Sequence, residues 1–371
     1  MFVSFFIGSM KSGGAERVIQ LLANHFAHSG WKIEIILLLS NEVDYQQFPL
    51  DKSITIVDLS EKNVSYSKNA IKWLKSIRKY VKAKKPDCIV SFVGRINALV
   101  LSATIGLGIP TVVSERSDPM QDGRGYYMRK YCDVLYHRAS AIVFQTKYQQ
   151  SCFSSSLGKK SYIVPNPVSV SIIDNIVANP LEISTAGRLF ASKNHVLLID
   201  AIKLVTEKYP EVQCFIYGEG DQRNNLEQRI KHQDLSGNVH LAGNKTDIYR
   251  WISRSSIFVM TSEYEGMPNA LVEAMMLGKA CISTDYPGVN EVIENGVNGI
   301  IIPRGDCKQL AHAIVQLLDN EEYKKRLSNN AKKTAALYKT DRIVEEWKRL
   351  IDNISIDNSQ KKYEGAYHES V

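Results

Sequence analysis

The chain has 371 residues, 44% hydrophobic and 23% charged, which excludes wholesale disorder and is long enough for two domains with cores of their own. Its 46 Lys and Arg against 39 Asp and Glu leave a net charge of +7, too small to specify a polyanionic partner unless it is concentrated in one place. Six scattered cysteines form no CxxC and no cluster with histidine, so a zinc site is not expected and a reducing cytoplasm is the simplest setting.

The apolar start, Met1 to Ile7, lacks a basic leader and a long core, so it reads as a first buried strand and not as a signal peptide. No apolar run reaches the roughly 18 residues needed to span a bilayer, and a cytoplasmic protein, soluble or peripheral on the inner face of the membrane, is expected. From there short apolar runs alternate with helical stretches: 3–7, a helix over 16–28, 33–39, 54–59, a helix over 68–84, 88–92, 111–114, 141–145 and 162–164. Such alternation predicts a parallel sheet wrapped by helices. Pro165-Asn166-Pro167 and the polar stretch to Pro180 read as a connector. The rhythm restarts with 181–186, a helix over 195–208, 212–217, a helix over 221–231, 239–241, 257–260, a helix over 268–277, 280–284 and 299–302, followed by helices from 306 to about 353. The expectation is therefore two doubly wound α/β domains facing a central cleft, residues 1–170 and 180–340. A last helix over 341–354 packs on the second domain or returns to the first, and a tail over 355–371 is expected to be loosely ordered.

Several stretches carry chemistry. After the first strand, Gly13 and Gly14 at a helix entry let backbone amides approach an anion, although paired glycines there serve packing about as often. Lys68, Lys72, Lys75, Arg78, Lys79, Lys82, Lys84 and Lys85 form a run without an acid, while Ile71, Leu74, Ile77 and Val81 keep helical spacing. That pattern is a helix with a cationic outer face, which is either simply solvated or docks on anionic lipid. Nucleic acid is not expected, since no binding motif or aromatic stacking platform accompanies the lysines. In Gly187-Arg188-Leu189-Phe190-Ala191-Ser192-Lys193 a guanidinium and an ammonium flank a strand-to-helix loop, a pairing suited to a diphosphate and equally to two surface cations. Tyr217-Gly218-Glu219-Gly220-Asp221 follows another strand and reads as a tight turn with Asp221 as helix cap. Finally, Glu265 and Glu273 lie eight positions apart around a helix start, a spacing that returns a helix to nearly the same face.

Together, Gly13-Gly14-Ala15-Glu16-Arg17, Gly187-Arg188 with Lys193, the stretch Glu265 to Glu273 and the turn Gly288 to Glu291 resemble the retaining glycosyltransferases of family 4, over residues 1 to about 350. Within that family the likeness is to bacterial enzymes of surface-polysaccharide or lipid-linked-glycan synthesis. The resemblance implies the GT-B fold and transfer of a sugar from a nucleotide-diphosphate donor, UDP-hexose or UDP-N-acetylhexosamine, to a glycan or polyprenyl-diphosphate-linked acceptor. It implies no cofactor and no metal, and no Asp-x-Asp element is present. By similarity, Arg188 and Lys193 hold the departing diphosphate, Glu273 binds the ribose and Glu265 faces the sugar. The backbone of Gly266, Met267, Pro268, Asn269 and Ala270 contacts sugar and phosphate, and Gly13 and Gly14 close over the donor. Where family members carry a histidine near the acceptor, this chain has Glu115, either in its place or simply paired with Arg116. A nucleotide-sugar 2-epimerase on the same fold and a non-catalytic sugar-nucleotide-binding subunit are the alternatives. A dehydrogenase is disfavoured because GxGxxG is missing after the first strand.

Overall fold

The computed structural model describes residues 1–11, 13–45, 48–60, 70–171 and 176–368, with side chains beyond 356 left aside. Lys68 of the lysine run above falls outside the described residues. The chain divides into two compact units, one made of Met1–Pro167 with Thr340–Val371 and one of Val168–Lys339.

The first unit is a parallel sheet of β1 (Phe2–Ile7), β2 (Lys32–Leu37), β3 (Thr55–Asp58), β4 (Cys88–Phe92), β5 (Thr111–Ser114), β6 (Ala141–Phe144) and β7 (Ser161–Ile163), in the order β3-β2-β1-β4-β5-β6-β7. Strands such as β4 and β6 are buried along their whole length, as expected when helices cover both faces. The order runs outward from β1 in both directions, so the helix after β1 covers one face and the helices after β3, β4 and β5 cover the other.

On the first face, helix Gly14–His28 packs Val18, Leu22 and Phe26 onto β1 and β2, and the C-terminal helix Thr340–His368 lies beside it. Trp347 of that helix is fully buried, its ring 5.8 Å from Phe92. The backbone stays helical to His368, where a loosely ordered tail from Ser355 was expected.

Three described helices of this unit were not expected from the sequence: Gly94–Ala103, Gly125–Tyr136 and the five-residue Lys147–Ser151, which is too short to show a period. Gly94–Ala103 is apolar nearly all round and buried on all sides but one, so it shows no helical period. Gly125–Tyr136 carries tyrosines outward, which hides its polar face.

The second unit holds β8 (Asn179–Ala186), β9 (Gln213–Tyr217), β10 (Val239–Gly243), β11 (Ser255–Met260), β12 (Ala280–Thr284) and β13 (Ile300–Ile302), all parallel, in the order β10-β9-β8-β11-β12-β13. Helices His195–Thr206 and Cys307–Asp319 share one apolar cluster with the sheet, and helices Asn269–Met276 and Glu321–Ala335 cover the other face. Adjacent β8 and β11 send their chains in opposite directions, to β9 and to β12, which leaves a crevice at their carboxyl ends.

Trp347→Ala should cost the first unit about 3–5 kcal/mol, as for other large buried aromatics. Urea unfolding followed by tyrosine and tryptophan fluorescence measures it; an unchanged midpoint would mean that the C-terminal helix adds nothing to this core.

Candidate functional site

At the β8–β11 crevice the loop after β8 is shaped by close backbone contact with the loop after β9. Gly187 N donates to Tyr217 O at 2.9 Å and Leu189 N to Glu219 O at 2.9 Å. Gly218 makes this approach feasible: its φ is +144°, and a Cβ there would stand 1.9 Å from the Gly187 carbonyl oxygen. The next helix begins at Arg223 after Gln222 and takes no side-chain cap, so Asp221 does not have the capping role read from the sequence.

The loop then makes a short turn, Ala191–Lys193, and enters helix His195–Thr206 through Asn194 in the left-handed conformation. Lys193 is held at both ends. Its carbonyl accepts from Thr261 Oγ1 at 2.8 Å, and its Nζ meets Glu265 Oε1 at 2.5 Å. The same Glu265 oxygen accepts from Ser262 Oγ at 2.6 Å, and the Ser262 carbonyl is fixed by Thr284 Oγ1 at 2.6 Å. Beside them Asn194 Nδ2 donates to Glu263 Oε1 at 2.6 Å and Glu263 N to Ser192 O at 2.8 Å. The two loops are thereby tied into one wall. The ion pair keeps some access to water, with side-chain exposures of 22% for Lys193 and 12% for Glu265, so an entering anion can compete for the ammonium.

Arg188 is exposed and stacks its guanidinium 4.7 Å over the Phe190 ring, with no carboxylate paired to it among the described residues. His195 stays neutral near pH 7 because burial, then the adjacent Lys193, lowers its imidazole to about 4. Tyr286, buried in the loop after β12, is pushed well above the ordinary phenol range by burial and then by Glu265.

Glu265 lies in the loop between β11 and helix Asn269–Met276, whereas Glu273 is on that helix. Helical periodicity, expected from their eight-residue spacing, therefore does not relate the two acids. Ser262 and Lys193 set Glu265, while Glu273, 8% exposed, accepts from Tyr249 OH at 3.3 Å. Gly266, Met267, Pro268, Asn269 and Ala270 form the entry to the helix, with Pro268 at its cap position and Met267 packed into the core.

Ser262, Thr284 and Tyr249 did not stand out in the sequence. Ser262 lies only three residues before Glu265, but that spacing does not by itself specify a bond from its hydroxyl to the carboxylate. The other two contacts join different strands and helices and have no local signature.

In the first unit, Gly13 caps helix Gly14–His28 at φ +146°, and a Cβ there would fall 2.4 Å from a Glu16 carboxylate oxygen. Glu115, at the carboxyl end of β5, is fully buried. Arg124 grips both of its oxygens, at 2.7 and 2.6 Å, and Tyr136 OH donates to one of them. Burial lowers the Arg124 guanidinium, but Glu115, Tyr136 and Asp122 together outweigh it and the net shift is upward. Arg116 is not the partner of Glu115. Its Nη1 donates to Asn166 Oδ1 at 2.6 Å and its guanidinium lies over Phe92 and Trp347, at 4.8 and 5.3 Å. Burial away from any carboxylate lowers Arg116 to about 9.

Comparison with known proteins places this geometry. Residues 12–172 match the family described as Glycosyltransferase Family 4, and residues 173–334 that described as Glycosyl transferases group 1. A Campylobacter jejuni alpha-1,4-N-acetyl-D-galactosaminyltransferase, named for GalNAc-alpha-(1->4)-GalNAc-alpha-(1->3)-diNAcBac-PP-undecaprenol, is 27% identical over 95% of this chain and 99% of its own. A Haemophilus influenzae uncharacterized glycosyltransferase is 25% identical over 94% of this chain and 99% of its own. Among solved structures, Anabaena HepE in complex with UDP superposes with a TM-score of 0.82 at 19% identity, over 95% of this chain and all of HepE (100%), a likeness of fold.

Glu115→Gln should destabilise the first unit by about 2–3 kcal/mol, since it removes the more buried of the two carboxylates paired with Arg124 and leaves Asp122, 2.6 Å from Nε, as the remaining partner. Denaturant unfolding reads the loss. If stability is unchanged while turnover collapses, Glu115 acts on the substrate and not on Arg124.

Proposed function

The chain belongs to glycosyltransferase family 4 with the GT-B fold, and from that premise we propose that it is a retaining, metal-independent enzyme of surface-polysaccharide synthesis. It moves a hexose or N-acetylhexosamine from a UDP-sugar to a glycan or polyprenyl-diphosphate-linked acceptor. The observation that carries the reading is the Lys193–Glu265 pair at the β8–β11 crevice, where a cation for the diphosphate and an acid for the sugar already touch. The donor base and acceptor class are supported by HepE, solved with UDP and glucose, and by Campylobacter relatives named for diphospho-undecaprenol acceptors.

In this mechanism the donor diphosphate draws Lys193 away from Glu265 and takes the free edge of Arg188. As the bond from the anomeric carbon to the diphosphate oxygen breaks, negative charge grows on that oxygen. Two fixed cations stabilise it more in the transition state than in the bound donor. The acceptor hydroxyl attacks from the side the diphosphate leaves and passes its proton to the departing phosphate oxygen, so the anomeric configuration is retained. Glu265, released from Lys193, hydrogen-bonds the sugar hydroxyls, and Glu273 takes the ribose. Two cations occupy the place a divalent metal holds in other transferases, so none is required.

The outer surface of helix Ala70–Lys84 exposes Lys72, Lys75, Lys79 and Lys82 and carries no acid. No described helix is long and apolar enough to cross a membrane. The cationic surface supports docking on anionic lipid, where a polyprenyl-linked acceptor is embedded.

Thermal-shift screening of nucleotide sugars identifies the donor, and product analysis of that donor with and without acceptor tests the reaction. Lys193→Ala should lower kcat about 100-fold or more, whereas Glu273→Ala should mainly raise the donor KM, by about tenfold. EDTA should leave turnover intact. A sugar altered in the absence of acceptor would make the protein an epimerase, and a glycosyl group trapped on the chain in Glu265→Gln would overturn the same-face displacement.

A further inference from the structure

Helix Ala70–Lys84 is one of three helices that lie side by side over the same face of the first unit's sheet, the others being Gly94–Ala103 and Gly125–Tyr136. The middle helix is almost wholly buried, and its neighbours reach over it from both sides. Arg78 Nη1 donates to the Ala103 and Ile105 carbonyls at 2.9 and 2.8 Å, and Tyr131 OH shares a hydrogen bond of 2.9 Å with Ser102. The outer surfaces of the first and third helices are therefore parts of one continuous face.

The third helix presents an unusual exterior. Tyr127, Tyr131 and Val134 recur at helical spacing along its outer side with exposures of 87%, 49% and 68%, and Tyr126 stands beside them at 60%. An exposed apolar stripe of this kind is costly in water and marks a surface that meets something else. Its surroundings say what. Lys130 flanks it 5.9 Å from the Tyr126 ring, and across the middle helix come Ile71, 70% exposed, and the lysines of Ala70–Lys84. Asp133, the only acid of the third helix, accepts from Ser154 N, which satisfies it within the fold. Tyrosine rings bordered by lysines suit the headgroup layer of a bilayer, where an apolar ring with a polar tip and a cation near lipid phosphate are both at home.

We propose that this face is a single bilayer-docking surface, cationic on Ala70–Lys84 and aromatic on Gly125–Tyr136, and that Tyr127, Tyr131 and Val134 seat it at the headgroup level of an anionic membrane. The inference deepens the membrane reading above and rests on it for the partner. It also gives the docked unit an orientation, because two contact lines separated by a helix resist rolling where one line would not.

The test is co-sedimentation of the full chain with vesicles of phosphatidylglycerol and phosphatidylcholine, and with phosphatidylcholine alone. Replacing Tyr127, Tyr131 and Val134 together by serine should weaken partitioning onto the anionic vesicles about tenfold. Replacing Lys75, Lys79 and Lys82 by glutamine should weaken it by about fivefold per lysine and flatten its salt dependence. In Tyr127→Trp, the indole emission should shift to the blue and be quenched by brominated lipid. A UDP-induced thermal shift equal to that of the parent chain certifies that each variant is folded. If the serine variant binds as the parent does while the glutamine variant does not, this inference falls and the lysine docking stands. If the parent chain ignores anionic vesicles, both fall. A blue shift given by soluble acceptor oligosaccharide and not by vesicles would make the stripe a glycan platform and overturn the proposal.

Discussion

The second unit depends on one topological constraint, the reversal of strand order between β8 and β11. Chains leaving neighbouring strands in opposite directions cannot fill the space above the sheet, so their loops face each other across a gap. Lys193 arrives from one loop and Glu265 from the other, 72 residues apart in sequence and 2.5 Å apart in space. Neither charge is loose. Thr261 holds the Lys193 backbone, Ser262 holds the Glu265 carboxylate and Thr284 holds Ser262, so the pair is placed by strands and not by flexible side chains. A site whose charges are oriented before the substrate arrives has less to reorganise when charge develops, and that is the main resource of a transferase handling a departing diphosphate.

The first unit contains a second pair of carboxylate and cation, and the contrast is instructive. Glu115 also stands at the carboxyl end of a parallel strand, yet Arg124 takes both its oxygens and Tyr136 a further share, with water excluded. Three hydrogen bonds in a site closed to water suit this pair to holding the loop from 115 to 124 against the sheet. The Lys193–Glu265 contact uses one carboxylate oxygen and retains some access to solvent. Residue type is the same in kind at both places; partner number and exposure separate the structural pair from the one able to exchange partners. Arg116, next in sequence to Glu115, points away to Asn166 and two aromatic rings, because alternate residues of an extended segment face opposite sides.

Much of the architecture was readable from local pattern. Short apolar runs such as Ala141 to Phe144 read as strands covered on both faces, and the helices with one apolar side, such as Ala70–Lys84, revealed themselves by period. Of the described helices that escaped, Lys147–Ser151 and Ile248–Arg254 are too short to show a period, and in the two longer ones the pattern is overridden. Gly94–Ala103 is buried nearly all round and so has no polar face to mark a period, and Gly125–Tyr136 is apolar on its exposed side as well. Arg188 and Lys193 follow β8 and Glu265 follows β11, the strand ends expected for them, whereas Glu273 lies on the next helix, and the reason offered for pairing the two acids was wrong. Glu265 is in a loop, and a helical repeat has no meaning there.

Sequence alone determined the class of the fold, the presence of cations and acids at the carboxyl ends of strands, and the concentration of lysine on one helix. These are properties of composition and short-range period, and each is decided within a few turns of chain. Tertiary structure alone decided who pairs with whom: Lys193 with Glu265, Arg124 with Glu115, Tyr249 with Glu273, and the tyrosine stripe alongside the lysines. Those pairings follow from strand order and helix placement, which are set by the packing of the whole sheet, and no local period in the sequence carries that information.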